Sequence, residues 1–307
     1  MIVLLSQGGI GNQLFQYSAL QYLHFISSKR PRIDPYSFHG NNDKLYGRLF
    51  SLSEFTSDLL LSPITSFLIK VIYKFIVIFF YESFTKKSFL SGLLGLLILN
   101  DKNFHGCSEL VRTHRFIILH GYFQFPEIPF YLKLHSPKIY EKIFKYRTAF
   151  LSNFNITRHS LAICFRAYEE TSSPTQHFTH FGSLAENHLL YFAEAVVRIL
   201  KALSSSNVWY SYIFTTSEFS KQFLKDCLII HNYRILDEVF ISSPSDFQEL
   251  ILISGFSHIA LNQSTFYWWA SFLSLGPTNS NFPKIYFPYD FMPSPSYPSD
   301  NYFPLCF

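Results

Sequence analysis

A short apolar run followed by a glycine-rich turn, close to the amino terminus, constrains the fold more than any other segment. Residues 2–5 read as a buried strand, residues 8–11 (Gly-Gly-Ile-Gly) as the turn, and residues 12–27 as a helix. A strand, a glycine turn and a helix start form the ligand-binding edge of α/β folds, where backbone N–H groups face the ligand. The segment therefore predicts an α/β fold with a candidate binding turn, although glycine turns with a purely structural role are equally common.

The carboxyl-terminal half of the chain alternates between short apolar runs and amphipathic segments. Strands are predicted at residues 161–165, 208–215, 234–236 and 258–261. Helices are predicted at residues 183–203, 218–227, 245–255 and 264–275, the first beginning at a Ser-x-x-Glu capping box. Strands that alternate with helices in this way predict a parallel sheet with helices on both faces.

The length of the chain, 307 residues, suits two domains of about 150 residues each. Residues 145–160 contain several Thr, Ser and Asn residues, which is typical of a linker. We therefore predict one domain at residues 1–150 and a second at residues 151–307.

Three segments together resemble a known enzyme family. Residues 8–17 read GGIGNQLFQY, residues 121–124 read GYFQ and are followed by Pro126, and residues 258–270 read HIALNQSTFYWWA. They resemble motifs of the α-1,2-fucosyltransferases, glycosyltransferase family eleven, and the resemblance extends from Gly8 to about Pro288. It implies a GT-B-like fold, with two Rossmann-like domains facing a cleft. The implied reaction is inverting transfer of L-fucose from GDP-fucose to a hydroxyl of an acceptor glycan, in α-1,2 linkage.

Candidate donor-binding residues lie where strands end or helices begin. Arg166 follows the strand at residues 161–165, where an arginine can point into the ligand crevice and bind diphosphate oxygens bidentately; a surface arginine in a salt bridge is the alternative. Ser264 and Thr265 occupy the first turn of a helix, where free N–H groups bind phosphate; simple N-capping is the alternative. By the resemblance, these residues anchor the donor in the second domain. The further donor-binding candidates are Gly9, Gly11 and Asn262.

The resemblance also implies catalytic residues. Related protein O-fucosyltransferases have a similar GNQ element at the catalytic centre, so Asn12 is a candidate for positioning the acceptor or the leaving group. An inverting step uses a general base for the acceptor hydroxyl, and Glu169 is the candidate, with Glu170 beside it. Glu249 matches a family aspartate at the start of a helix, or is a simple helix-turn acid. Trp268 and Trp269 are assigned to the helix-packing core.

The family's HxRRGD motif is altered in this chain, where residues 164–169 read CFRAYE. The first arginine is present as Arg166, but Ala167 replaces the second and removes one cation from the phosphate clamp. Two alternatives therefore stay open. One is a transferase of the same fold that uses another sugar nucleotide, and the other is a degenerate, non-catalytic glycan-binding protein.

The composition and short motifs of the sequence indicate which partners and cofactors to expect. The sequence has no D-x-D triad, so we expect a metal-independent enzyme without a cofactor, for which GDP-fucose is the donor substrate. The net charge of +4 suits an anionic nucleotide, and the lack of a Lys/Arg-rich run argues against a nucleic-acid partner. Four scattered cysteines without a C-x-x-C pair suit the reducing cytosol.

An apolar segment in the first half suggests contact with a membrane. Residues 64–81 are almost entirely apolar except for Lys70 and Lys74, whose charges argue against a span because each costs about 2.5–3.5 kcal/mol near a bilayer centre. We predict an apolar helical segment at residues 64–100, either buried with snorkelling lysines or lying in a membrane interface. The expected acceptor is an oligosaccharide or a glycolipid, and the expected location is cytoplasmic, with peripheral membrane contact.

Overall fold

A computed structural model describes most of the chain, as two compact units at Met1–Ile143 and Phe144–Phe307. The described residues are 1–35, 50–85, 94–125, 127–135, 137–166, 178–204, 209–215, 218–236, 245–262, 264–274, 283–288 and 302–305. The division between the units falls seven residues before the boundary that the composition suggested (150 against 143).

The amino-terminal unit is built on a parallel sheet. Its strands are β1 (Ile2–Leu5), β2 (Pro31–Asp34), β3 (Leu96–Leu99) and β4 (Phe116–Leu119), in the order β2-β1-β4-β3. Its helices are α1 (Ile10–Ser27), α2 (Ser53–Thr56), α3 (Pro63–Thr85), α4 (Ser108–Thr113) and α5 (Ile128–His135). All residues of β1 and β3 are buried, which explains why their sequences are continuous apolar runs rather than alternating patterns.

The carboxyl-terminal unit is a second parallel α/β unit. Its strands are β5 (Ser160–Cys164), β6 (Tyr210–Phe214), β7 (Arg234–Ile235), β8 (His258–Leu261), β9 (Lys284–Pro288) and β10 (Tyr302–Leu305). Its helices are α6 (Pro137–Leu151), which begins in the first unit, α7 (Phe178–Leu203), α8 (Glu218–Ile230), α9 (Asp246–Ile253) and α10 (Thr265–Ser274). The order β10-β9-β8-β5-β6-β7 is the strand order of a Rossmann fold. The predicted α/β class is confirmed, with a parallel sheet in each unit and the Rossmann strand order in the second.

Helix α3 carries apolar side chains both on the side that packs against the sheet and on its outer, exposed side. Its inner stripe includes Ile69 and Ile76, which pack with Val3, Ile98 and Ile118 on one face of the sheet. The outer side carries large apolar side chains that are half or more exposed: Ile64, Phe67, Leu68, Val71, Ile72, Phe75 and Ile78. Within the described part of the chain, no helix has both the length and the apolar character needed to cross a bilayer.

The prediction of a helical segment across residues 64–100 is wrong in its second part. The helix ends at Thr85, and Leu96–Leu99 form β3, directly after Gly95, whose φ is +60°. Periodicity cannot distinguish a four-residue buried strand from a helical turn, and the pairing of β3 with β4 decides the outcome.

Two other local predictions are also wrong. The expected linker at residues 145–160 is helical as far as Leu151, because α6 continues through the first half of it. The Ser183 capping box lies five residues inside α7, which begins at Phe178. A capping box does occur at Ser245, whose hydroxyl accepts a hydrogen bond from Gln248 N, and it begins α9.

The core of the second unit supports the strands that lead to the candidate site. Leu161 and Ile163 of β5 pack with Phe192 and Val196 of α7, all with 1% or less of their surface exposed. Helix α10 is buried along nearly its whole length, and Trp269 is fully buried. The assignment of Trp268 and Trp269 to the core is confirmed.

Arg147 gives a test of how the second unit is held together. Its Nε donates to Ser254 Oγ at 2.9 Å and its Nη2 to the Ser254 carbonyl at 2.7 Å, which joins α6 to the turn before β8. We expect Arg147→Ala to lower the free energy of unfolding by about 1.5–3 kcal/mol, the range for hydrogen bonds to a charged group.

Chemical denaturation of the purified protein measures this effect. The matched control is Arg198→Ala, because Arg198 makes an exposed i,i+4 ion pair with Glu194 and should contribute about 0.5 kcal/mol or less. Equal losses in the two variants would show that the Arg147 bridge does not stabilise the unit.

Candidate functional site

The second sheet has its topological switch point between β5 and β8. From β5 the chain continues to β6 and β7 on one side, whereas from β8 it continues to β9 and β10 on the other. In open α/β sheets the loops separate at such a point and leave a ligand crevice beyond the carboxyl ends of the strands. Arg166 follows β5, and Asn262 and Ser264 follow β8. Three residues assigned to the donor from sequence therefore lie at the same edge of the sheet, where such a crevice is expected.

Asn262 holds the backbone of Arg166 across this switch point. Its Oδ1 accepts a hydrogen bond from Arg166 N at 2.9 Å, and its Nδ2 donates to Arg166 O at 2.9 Å. Asn262 N in turn donates to Cys164 O at 3.1 Å, which continues the β5–β8 ladder by one residue. Because Asn262 is buried, these two hydrogen bonds fix the position of the Arg166 backbone, from which the half-buried Arg166 side chain extends. The geometry gives the Asn262 side chain a positioning role.

Ser264 and Thr265 stand at the amino end of α10. The Ser264 carbonyl accepts from Trp268 N at 2.9 Å, so Ser264 occupies the N-cap position and Thr265 begins the helix. Tyr267 Oη donates to Phe214 O at 3.0 Å and ties the first turn to the end of β6. The start of this helix is therefore fixed beside the crevice, with its positive dipole end at the carboxyl edge of the sheet.

A partly buried carboxyl group, that of Glu249, lies in the electrostatic environment of Arg166. Burial and, to a smaller extent, the charge of Asp246 together raise the pKa of the Glu249 carboxyl to about 7, against the opposing positive charge of Arg166. Burial, and then the charge of Glu249, raise the pKa of the Cys164 thiol well above its usual value. Sequence reasoning noticed Glu249 only through the family match, because nothing in the local pattern signals its burial.

Several residues of the predicted site lie outside the described residues. Glu169 and the altered motif positions Ala167 and Tyr168 belong to residues 167–177. The assignment of Glu169 as the general base stays a prediction.

The glycine turn after β1 is held by hydrogen bonds of the Gln13 side chain. Gly8 has a φ of +78°, whereas Gly9 is the extended N-cap of α1 and Gly11 lies in the first helical turn. Gln13 Nε2 donates to Gly8 O at 3.0 Å, and Gln13 Oε1 accepts from Ser51 N at 2.8 Å. The Gln13 side chain is therefore buried and shapes the turn, rather than presenting its amide at the open edge of the sheet.

Asn12 joins the first motif to the second. Its Oδ1 accepts a hydrogen bond from Gln124 Nε2 at 2.8 Å, and a Cβ placed on Gly8 would lie 3.2 Å from the Tyr122 ring. Strands β1 and β4 are neighbours, so the turn that follows β1 and the GYFQ segment that follows β4 meet at the carboxyl edge of the sheet. The structure thus brings together two motifs that lie more than 100 residues apart in the sequence.

Asp101 organises the GYFQ segment and was missed by sequence reasoning. Its two carboxylate oxygens accept from Phe123 N at 2.5 Å and from Tyr122 N at 3.2 Å. A Cβ on Gly121 would lie 2.7 Å from Asp101 Oδ2 and 3.1 Å from the Asp101 backbone N, so this position needs glycine. The only sequence signal for Asp101 was an acid shortly after an apolar run, which is common in turns.

No group of three His, Cys, Asp or Glu residues suited to a metal ion occurs among the residues that the structure describes. Metal independence itself stays a prediction. The positive groups described at the second crevice are the Arg166 guanidinium and the amino end of α10.

Comparisons with known proteins add little to this picture. No family model and no curated protein matches the sequence at a significant level. Among solved structures, POFUT1 in complex with GDP aligns with a TM-score of 0.42 and 10% identity, covering 93% of this chain and 97% of that chain. POFUT1 in complex with GDP-fucose aligns with a TM-score of 0.42, 9% identity and the same coverage. At this level of similarity a superposition carries no argument about ligand or reaction, so function must be argued from the residues themselves.

The contact between Gly121 and Asp101 provides a test of the amino-terminal edge. We expect Gly121→Ala to displace Asp101 and to lower the free energy of unfolding by about 1–3 kcal/mol, as overpacking usually does. Gly9→Ala is the control, because a Cβ there meets nothing within 4 Å and the φ of −69° suits alanine. Thermal unfolding of both variants measures the difference, and a Gly121→Ala protein as stable as Gly9→Ala would contradict the assigned role of Asp101.

Proposed function

We propose that this protein is a GT-B-type fucosyltransferase that transfers L-fucose from GDP-fucose to a hydroxyl of an acceptor glycan, with inversion and in α-1,2 linkage. The observation that carries the proposal is the Asn262 clamp, which places Arg166 at the switch point of a Rossmann-ordered sheet beside the amino end of α10. The motif resemblance supplies the donor and the linkage. In this proposal the second unit binds the donor and the first unit binds the acceptor.

Arg166 and the start of α10 carry the charge chemistry of the proposed reaction. The guanidinium binds the diphosphate oxygens and stabilises the negative charge that develops on departing GDP. Ser264 and Thr265 supply hydroxyls and backbone N–H groups to the same phosphates. These positive groups act where many sugar transferases use a divalent cation, which supports a metal-independent reaction. Ala167 leaves the clamp one cation short of the family pattern, which favours weaker donor binding than in the family.

Glu249 is suited to reading the base of the nucleotide. The Watson–Crick edge of guanine carries two adjacent donors, N1–H and the N2 amino group, and an ionised carboxylate accepts both. With a pKa of about 7, Glu249 is ionised in a large fraction of molecules at neutral pH, and two new hydrogen bonds favour that form. Adenine lacks this pair of donors, so the proposal includes a preference for GDP.

The amino-terminal edge is assigned to the acceptor and to catalysis. Asn12, held by Gln124, positions the acceptor or the leaving group, and Gly9 and Gly11 allow the donor to approach the turn. Tyr122 is 41% exposed beside Gly8 and offers an aromatic face of the kind that packs against sugars. Glu169 is the general base that the family pattern suggests.

The donor site is tested with Arg166→Ala. We expect GDP release from GDP-fucose, with lactose as a β-galactoside acceptor or water in its absence, to fall at least 100-fold, an estimate from the loss of one oxyanion-type contact. The control is Arg198→Ala, which removes the same charge from an exposed position in the same unit and should leave turnover unchanged. A folded Arg166→Ala protein with near-native turnover would place the phosphate site elsewhere.

The same assay separates the alternatives. An enzyme with a different donor would turn over another sugar nucleotide in preference to GDP-fucose. A degenerate glycan-binding protein would bind oligosaccharide and release no GDP. The second alternative is supported by Ala167, which stands where the family has a second arginine and so removes one positive charge from the phosphate clamp.

The exposed outer side of α3 supports peripheral contact of a cytoplasmic enzyme with a membrane, and hence a glycolipid as one acceptor class. Lys74 is exposed on this helix, while Lys70 lies 3.7 Å from the Asp34 carboxylate. A helix with an exposed apolar side and a neighbouring cation is suited to the interface of an anionic bilayer.

Sedimentation with phosphatidylglycerol-containing vesicles measures this contact. We expect the double variant Phe67→Ser/Phe75→Ser to bind at least about tenfold more weakly, because each aromatic side chain loses apolar burial worth more than the 1.4 kcal/mol of one decade. The control is Phe219→Ser, since Phe219 is 62% exposed on α8 and α3 is unaffected. Wild-type protein that stays in the supernatant, or an equal loss with Phe219→Ser, would contradict the assignment.

A further inference from the structure

We propose that His120 is the general base that removes the proton from the attacking acceptor hydroxyl. The inference rests on the proposed function and deepens it, since it assigns the base to a described residue of the amino-terminal edge. It competes directly with the assignment of Glu169 from the family pattern.

The position of His120 follows from the sheet. It is the first residue after β4, and its backbone N–H donates to Leu99 O at 2.9 Å, so the β3–β4 ladder fixes its Cα. It directly precedes Gly121 and the segment whose Gln124 reaches Asn12. The imidazole is therefore attached at the carboxyl edge of the sheet, four residues before the side chain that contacts Asn12.

A tyrosine on α3 orients the imidazole. Tyr73 Oη lies 2.5 Å from His120 Nδ1, and the two rings meet edge to face with centroids 5.2 Å apart. Tyr73 belongs to the inner stripe of α3 and packs with the apolar face of the sheet. For the base role, Nδ1–H donates to Tyr73 Oη, which leaves the Nε2 lone pair to accept a proton. Catalytic histidines are commonly oriented in this way, by a hydrogen bond at the ring nitrogen that does not take the proton.

The surroundings of His120 suit a base that is neutral at rest. Burial lowers the pKa of the imidazole below its usual 6.5, and the negative charge of Asp101, after β3, opposes the shift. Among the described side chains of α3, Tyr73 is the titratable one that contacts the His120 ring. Lys70, one turn earlier on α3, lies against Asp34 at the end of β2. Asp101 therefore stabilises the imidazolium that forms once the proton has been taken.

The step balances without a co-reactant. The acceptor oxygen forms a bond to C1 of fucose while the bond from C1 to the β-phosphate oxygen breaks, and the electron pair leaves with GDP. The acceptor proton passes to His120 Nε2 and then to solvent.

The test is the pH profile of GDP release from GDP-fucose in wild type and in His120→Asn. The Asn side chain keeps a donor near Tyr73 Oη but cannot take a proton. We expect turnover to fall by about 100- to 10,000-fold, the usual contribution of a general base. The acid limb of the wild-type profile should lie below pH 6.5 and should disappear in the variant, while GDP affinity stays unchanged. The control is His105→Asn, since His105 is 60% exposed near Glu127 and should not change the profile.

A spectroscopic measurement keeps the proposal testable if His120→Asn does not fold. Nitrogen NMR of wild-type histidines at pH 7.5 should show His120 as the Nδ1-protonated tautomer, and Tyr73→Phe should shift the tautomer balance and lower turnover without changing GDP affinity. The Nε2-protonated tautomer, or a His120→Asn protein with native turnover and acid limb, overturns the base assignment alone. Wild-type protein that neither binds GDP nor releases it from GDP-fucose overturns the proposed function, and the inference with it.

Discussion

The site in the second unit depends on the hydrogen bonds that Asn262 makes to the backbone of Arg166. The β5–β8 ladder brings the two residues side by side, and the buried amide satisfies both the N–H and the carbonyl of Arg166. Backbone groups that leave a sheet at a switch point would otherwise need water or a ligand as partners. With that need met, the direction in which the Arg166 side chain leaves the backbone is set by the protein before any anion arrives, which is the preorganisation that charge stabilisation needs.

The two edges use their motif residues in different ways. In the second unit Asn262 holds the backbone while Arg166, Ser264 and Thr265 stand beside the crevice, whereas in the first unit several polar residues hold the backbone that forms the edge. The Gln13 side chain donates a hydrogen bond to a backbone carbonyl, and the Asp101 carboxylate accepts hydrogen bonds from backbone N–H groups. Glycine is required at position 121 because Asp101 occupies the space that a side chain would need. In the first unit, therefore, several of these residues hold the backbone, and Asn12 and its neighbours remain the candidates for contact with substrate.

Sequence reasoning recovered strands β5 to β8 of the second unit better than the rest of the chain, whereas β9 and β10 were not predicted. The strand His258–Leu261 and the helices on either side of it were predicted nearly to the residue, because buried parallel strands and capped helices leave strong local signals. Strand β3 was taken for helix, because four apolar residues carry no period. The partner of Arg166 could not be predicted in its role, because nothing local marks an amide 96 residues away as its clamp. The burial of Glu249 and the pairing of His120 with Tyr73 are likewise properties of the folded chain alone.

The central claim is that the crevice at Arg166 and Asn262 binds a guanosine diphosphate without a metal ion. Calorimetric titration of GDP, ADP and UDP into the protein, in buffer containing EDTA, tests it most directly. The account predicts that GDP binds and that ADP and UDP bind at least about tenfold more weakly, since loss of one good hydrogen bond to a charged carboxylate costs about 1.5–3 kcal/mol. Absence of GDP binding, equal affinity for the three nucleotides, or GDP binding that appears only when Mn²⁺ or Mg²⁺ is added would contradict it.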